Sequence, residues 1–299
     1  MFETVEACMG ESGVCSPGEV RYLTSGCAAG ERRVATCSET CESFVRGACE
    51  PSPIELVLVI EDRARQFFTG LMDRDVLRTL PRDLEAIRPG SRVASVIFDD
   101  FPIRPFGTAA GVGVFESQLA LVKPFNDPDP AAGVSLFPAR GALGDEANAG
   151  VEALGLVAGL PAHPEATVNA LSPACPAELL DGEGVLCWTP GSLRYAIVIP
   201  RNRTYNAPDG LEDYVGTRPL LGAVPHSWND LRDRWSTAGI VLHGILLRNN
   251  TQVLADWRQI FDGLGARPGA LRELRDDSDV IAGQIFEIVD EIRDDVAAL

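Results

Sequence analysis

Apolar residues along the chain fall into short unbroken runs, separated by stretches in which they recur every three or four positions. The first run, IELVLVI at Ile54–Ile60, leads straight into the charged EDRAR of Glu61 to Arg65. A strand covered on both faces reads this way, so Ile54–Ile60 is expected to be the central strand of an open sheet. Phe67, Leu71, Leu77, Leu80, Leu84 and Ile87 then recur at helical spacing, and Pro89-Gly90 ends that helix. Further strands are expected at Val93–Phe98, Phe115–Val122, Leu193–Ile199 and Ile240–Leu247. Helices are expected over about 145–159, along Trp228, Leu231, Trp235 and Ala238, along Leu254, Trp257, Ile260 and Phe261, and from the acidic start at 276–279 through Val296. The alternation predicts an α/β fold with an open, mostly parallel, doubly wound sheet over residues 53–299.

Residues 1–52 follow neither period. Cys8, Cys15, Cys27, Cys37, Cys41 and Cys49 stand among glycines with too few aliphatic residues for a core, and Cys175 and Cys187 form a later pair in a loop-like stretch. Even counts in both clusters predict a small disulfide-stapled module and one loop-closing bridge, hence an oxidising compartment. The alternative is a zinc module using Cys37 and Cys41, but no C-x-x-C pair and no histidine before His163 supports it. Pro51 and Pro53 mark a short, stiff linker between the two parts.

Charge narrows the function. With 26 basic against 43 acidic residues the net charge is -17, which argues against nucleic acid as a partner. Nothing approaches the roughly 20 consecutive apolar residues of a membrane span. Met1–Cys8 has no apolar leader core, so a secreted, periplasmic or cell-surface location implies a leader already removed or a start at an internal boundary. No G-x-S-x-G, H-E-x-x-H or glycine-rich phosphate loop is present, and His243 sits in an apolar run where a satisfied core histidine is expected. The protein is therefore read as not an enzyme, and the unrecognised α/β hydrolase is the third reading. Trp188, beside Cys187 in the long loop, is a candidate partner-contact anchor if exposed.

VIFDDFPIRPFG (Val96–Gly107), LGDEANAGVEAL (Leu143–Leu154) and PGSLRYAIVIPRN (Pro190–Asn202), taken in this order after IELVLVIEDRAR, resemble a von Willebrand factor type A domain of the integrin beta-subunit I-like flavour. The resemblance covers residues 53–299 and implies a Rossmann-type sheet. CAAGERRVATCSETCESFVRGAC, Cys27–Cys49, resembles a thrombospondin type 1 repeat without its layered tryptophans. In the first family a divalent cation is held by Asp-x-Ser-x-Ser after the first strand, by a Thr or Glu on a second loop, and by an Asp after the fourth strand. This chain has Glu61, Arg63 and Arg65 at the first set, with Asp62 alongside, then Asn148, then Arg201 or Asn202. Guanidinium groups there would repel a divalent cation, so the site is read as degenerate and filled by an Arg-Glu cluster. Asp100 and Asp145 match two aspartates that help hold a neighbouring calcium in integrin beta subunits, although Leu143 and Asn148 replace the other ligands. Apart from that Ca2+, no cofactor is expected.

The resemblance implies a non-enzymatic adhesion or protein-binding module. Its contact face would be Glu61, Asp62, Arg63, Arg65, Asn148, Arg201, Asn202, Arg203 and Tyr205, meeting a protein partner's carboxylate without a metal. The alternatives are a structural subunit that assembles with copies of itself, and a cation-dependent adhesin using the residual calcium site.

Overall fold

A computed structural model of the chain describes residues 15–16, 18–61, 76–98, 120–123, 147–148, 150–161, 186–204, 208, 226–247, 251–274 and 278–299. Near the N-terminus, β1 (Val20–Leu23), β2 (Glu31–Cys37) and β3 (Phe44–Pro51) form an antiparallel sheet in that order. Its buried apolar cluster is Cys15, Cys37 and Cys41 with Phe44 packed against it, so covalent bridges must supply what packing cannot. Cys15 pairs with Cys37 and Cys27 with Cys49, each across 22 residues. A bridge closing a loop of this length stabilises by roughly 3 kcal/mol in the chain-entropy account. Cys41 and Cys187 are disulfide-bonded as well, and among the described residues no cysteine is free, which decides for disulfides over zinc there. Two guanidinium groups lie on aromatic faces, Arg21 over Phe44 at 4.3 Å and Arg32 over Tyr22 at 4.2 Å.

The expected linker is a buried passage. Pro51 ends β3, Ser52 is buried with its N–H donating to Gly30 O at 2.9 Å, and Pro53 O accepts from Leu193 N at 2.9 Å. The small sheet also touches the larger one at Gly191, where an added Cβ would come within 3.2 Å of Thr24 and 3.3 Å of Arg32.

β4 (Ile54–Glu61) is central, as the apolar run predicts, in a six-stranded sheet that also contains β5 (Arg92–Phe98), β6 (Ala120–Lys123), β8 (Leu193–Ile199), β10 (Ile240–Leu246) and β11 (Leu271–Glu273). The order is β11-β10-β8-β4-β5-β6, five strands being parallel and β6 antiparallel at the edge. The expected strand Phe115–Val122 is described only over β6, which runs to Lys123. β7 (Ala147–Asn148) and β9 (Arg203–Thr204) make a separate two-residue parallel pair.

The pleat sorts β4 between two cores. Val57 and Val59 face α2 (Gly150–Val157), α3 (Trp228–Ala238) and α4 (Thr251–Gly263) through Leu154, Trp235 and Trp257. Ile54, Leu56, Leu58 and Ile60 face α1 (Val76–Ile87) and α5 (Ser278–Ala297) through Leu80, Leu84, Ile285, Ile288 and Ile292. A Ser227–Asp230 capping box starts α3 and left-handed Gly239 ends it, both by ordinary capping chemistry. Among the described residues no helix is long and apolar enough to cross a membrane.

Candidate functional site

In open α/β sheets the ligand crevice opens at the carboxyl ends of the strands, where the chain changes direction across the sheet. Here that point lies between β4 and β8, because the chain goes from β4 to β5 on one side and later returns to β8 on the other. Glu61, the last residue of β4, occupies it. The side chain is fully buried and accepts from Arg201 N at 2.6 Å and Asn202 N at 2.9 Å, while its other oxygen accepts from Asn202 Nδ2. Two successive backbone N–H groups aimed at one oxygen form an anion seat, and the chain fills it with its own carboxylate.

The segment after β8 is tied down on two further sides. Trp257 Nε1 donates to Asn202 O at 2.8 Å, and Arg203 makes a two-pronged ion pair with Asp256 at 2.8 and 3.2 Å, with both side chains buried. Thr204 Oγ1 accepts from Val151 N at 3.0 Å, serving as a cap for the first turn of α2. Gly150 permits that approach, since a Cβ there would lie 2.8 Å from Thr204 Oγ1 and 2.9 Å from Trp257.

Beside this knot, Glu152 of α2 is buried and its Oε2 lies 2.7 Å from His226 Nδ1. Burial alone would lower the His226 pKa, but the hydrogen bond and charge of Glu152, helped by Asp230, outweigh it and the net shift is upward. Asp230 is held below its usual value, chiefly by its hydrogen bonds from Ser227.

Several expected contact residues are placed otherwise. Glu61 and Asn202 meet each other while Arg203 turns to Asp256, and all three side chains are buried. Of the expected Arg-Glu cluster, Arg63 and Arg65 lie outside the described residues; within them Glu61 accepts from the backbone of Arg201 and Asn202, and Arg203 pairs with Asp256. Arg201 is half-buried at the rim, and Asn148 lies in β7 paired in register with Thr204. Trp188 is 1% exposed, its Nε1 donates to Val157 O at 2.8 Å and the Arg194 guanidinium lies 5.5 Å from its ring, so it closes the end of α2 and is no partner anchor. Asp62, Arg63, Arg65, Tyr205, Asp100, Asp145, Cys8 and Cys175 lie outside the described residues. Among the described residues no cluster of three or more His, Cys, Asp or Glu side chains could hold a metal ion.

Besides Glu152, the buried carboxylates Glu55 and Asp256 escaped the sequence reading. Glu55, at the amino end of β4, accepts from Thr189 N (2.8 Å), Thr189 Oγ1 (2.7 Å), Ser192 Oγ (2.9 Å) and the Arg92 guanidinium. A charged residue inside IELVLVI was the available signal, because a buried carboxylate demands partners. Asp256 carried none, as it lies on a helix whose neighbours alternate in polarity.

No protein-family model and no curated protein matches the chain. Among solved structures it is similar to proximal thread matrix protein 1 from the mussel byssus, with 10% identity, a TM-score of 0.41, and 80% of this chain on 48% of that one. It is similar also to two crystal structures of the pilus adhesin SpaC from Lactobacillus rhamnosus GG, one of them an open conformation, each with 12% identity and 93% of this chain on 34% of that one, at TM-scores of 0.43 and 0.44. The chain thus spans half or less of each of these proteins.

Proposed function

We propose that this protein is a non-enzymatic binding or adhesion module of an extracellular, periplasmic or cell-surface assembly, built as a disulfide-stapled unit on a von Willebrand A-like domain whose cation seat is closed by the chain itself. The carrying observation is Glu61: at the switch point of the sheet it is fully buried and accepts hydrogen bonds from Arg201 N, Asn202 N and Asn202 Nδ2. A carboxylate engaged by three donors inside the fold is a structural group, and a metal-bridged contact at that position would first have to break them. Disulfides in the N-terminal sheet support an oxidising compartment. The strand order supports the family reading, since β4 is central with the antiparallel strand at one edge. Recognition then falls to the rim around the closed seat, where half-buried Arg201 stands; Arg63, Arg65 and Tyr205, near Glu61 and Arg201 in sequence, are the further candidates.

The thermal midpoint of the unreduced protein in millimolar calcium or magnesium, against chelator, tests this reading. An ion at 100 times its Kd would add about 2.7 kcal/mol to the folded state. The proposal expects coincident curves. A rise with either ion would return the protein to cation-dependent adhesion, with Asp100 and Asp145 the first residues to replace.

A further inference from the structure

His243 is in the middle of β10, 3% exposed, and among the described residues neither ring nitrogen has a hydrogen-bond partner. A buried imidazole without a partner is costly as it stands, and a proton on it would cost more unless a carboxylate turned to meet it. The ring faces the C-terminal half of α5 and stacks on Tyr195 of β8 with centroids 6.4 Å apart. The carboxylates nearby are already committed. Glu291 Oε2 is 3.5 Å from His243 Nδ1, but Glu291 Oε1 holds Arg272 of β11 at 2.6 Å, and Asp295 is bound by Arg267 at 2.5 and 2.7 Å. Arg272 also donates to Gln284 O at 2.9 Å, pinning α5 to β11. Tyr195 contributes no charge, because burial first and Asp295 second push its phenol up to about 12.

We infer that His243 is an acid-operated release for α5, in which a proton taken onto the buried ring loosens the C-terminal half of that helix from the sheet. Either Glu291 leaves Arg272 to meet the new charge, weakening the α5–β11 tie, or the helix lifts to admit water. Burial acts first and lowers the His243 pKa; Glu291 and Asp295 oppose this, Arg272 and Arg267 reinforce it, and the net shift is downward. The sign follows from linkage. Above the unfolded value of 6.5 the ring is neutral in both states and has no effect; as pH falls from 6.5 toward the depressed folded value, opening is increasingly favoured.

Hydrogen exchange of the full chain at about pH 7 and about pH 5, corrected for intrinsic rates, reads this directly. Protection over residues 285–296 should fall on acidification, approaching tenfold per pH unit, roughly the limit for one proton. His243→Phe, which keeps an aromatic ring against Tyr195, should abolish that response, and Glu291→Gln should deepen it. An equal acid response in His243→Phe, or flat protection in the unaltered protein, would overturn the inference. Should His243→Phe fail to fold, the ring titration of His243 in the unaltered protein decides: a pKa below 6.5 supports the release and one at or above it refutes it.

Discussion

β4 carries a buried glutamate near each end, and the two differ in the donors that the described residues supply. Glu55, at the amino end, is surrounded mainly by side chains: the guanidinium of Arg92 and the hydroxyls of Thr189 and Ser192, with one backbone N–H. Glu61, at the carboxyl end, is held by the N–H groups of Arg201 and Asn202 and by one amide side chain. The first staples distant segments at the end where the disulfide-linked sheet is attached. The second fills the crevice where proteins of this architecture receive ligands. A buried carboxylate therefore marks a function or a staple only once its donors are known, since its own burial is the same in both.

Breaking the amino-end cluster should cost most. Glu55→Ala removes the acceptor shared by the Arg92 guanidinium, the Thr189 and Ser192 hydroxyls and the Thr189 N–H, and should destabilise by about 3–5 kcal/mol in chemical denaturation at neutral pH. Glu61→Gln keeps the shape but replaces one acceptor with a donor, so it can serve the backbone pair or Asn202 Nδ2 but not both. The expected loss is roughly 1–3 kcal/mol. A Glu61 loss larger than the Glu55 loss would reverse the assignment of staple and seat. Gly150→Ala, forced against Thr204 and Trp257, should cost about 1–3 kcal/mol by overpacking.

The smallest effect depends on pH. Because the folded His226 pKa is raised, its pair with Glu152 stabilises fully below the unfolded value of 6.5, and that contribution is lost as pH rises through the folded value. The gap in thermal midpoint between the unaltered protein and His226→Gln should be widest at about pH 5.5 and shrink by about pH 8.5. His243 should act in the opposite sense.

The main strands were legible because runs such as Leu193–Ile199 are apolar on both faces and end in turn residues, and β8 has those bounds. β11, of three residues, and the β7–β9 pair, of two each, are too short to leave a period. The strand end that carries Glu61 could be read from the sequence, but the contacts made there could not. Arg203 and Asp256 are 53 residues apart and neither sequence context points to the other. Trp188, beside a cysteine in a loop-like stretch, is a partner anchor only if exposed; the carbonyl of Val157 that it serves inside the fold is 31 residues away. His243 read correctly as a core residue, yet its lack of a partner is a property of the surroundings and not of the strand pattern.

The closed seat proposed at the carboxyl end of β4 requires Glu61 to be a structural carboxylate and not an ion ligand. The decisive measurement is the thermal midpoint of the unaltered protein and of Glu61→Gln, each in millimolar calcium and in chelator. The variant should melt lower by the same margin in both, with the unaltered protein indifferent to the ion. If chelator instead lowers the unaltered protein to the level of the variant, Glu61 holds a cation and the closed-seat account fails.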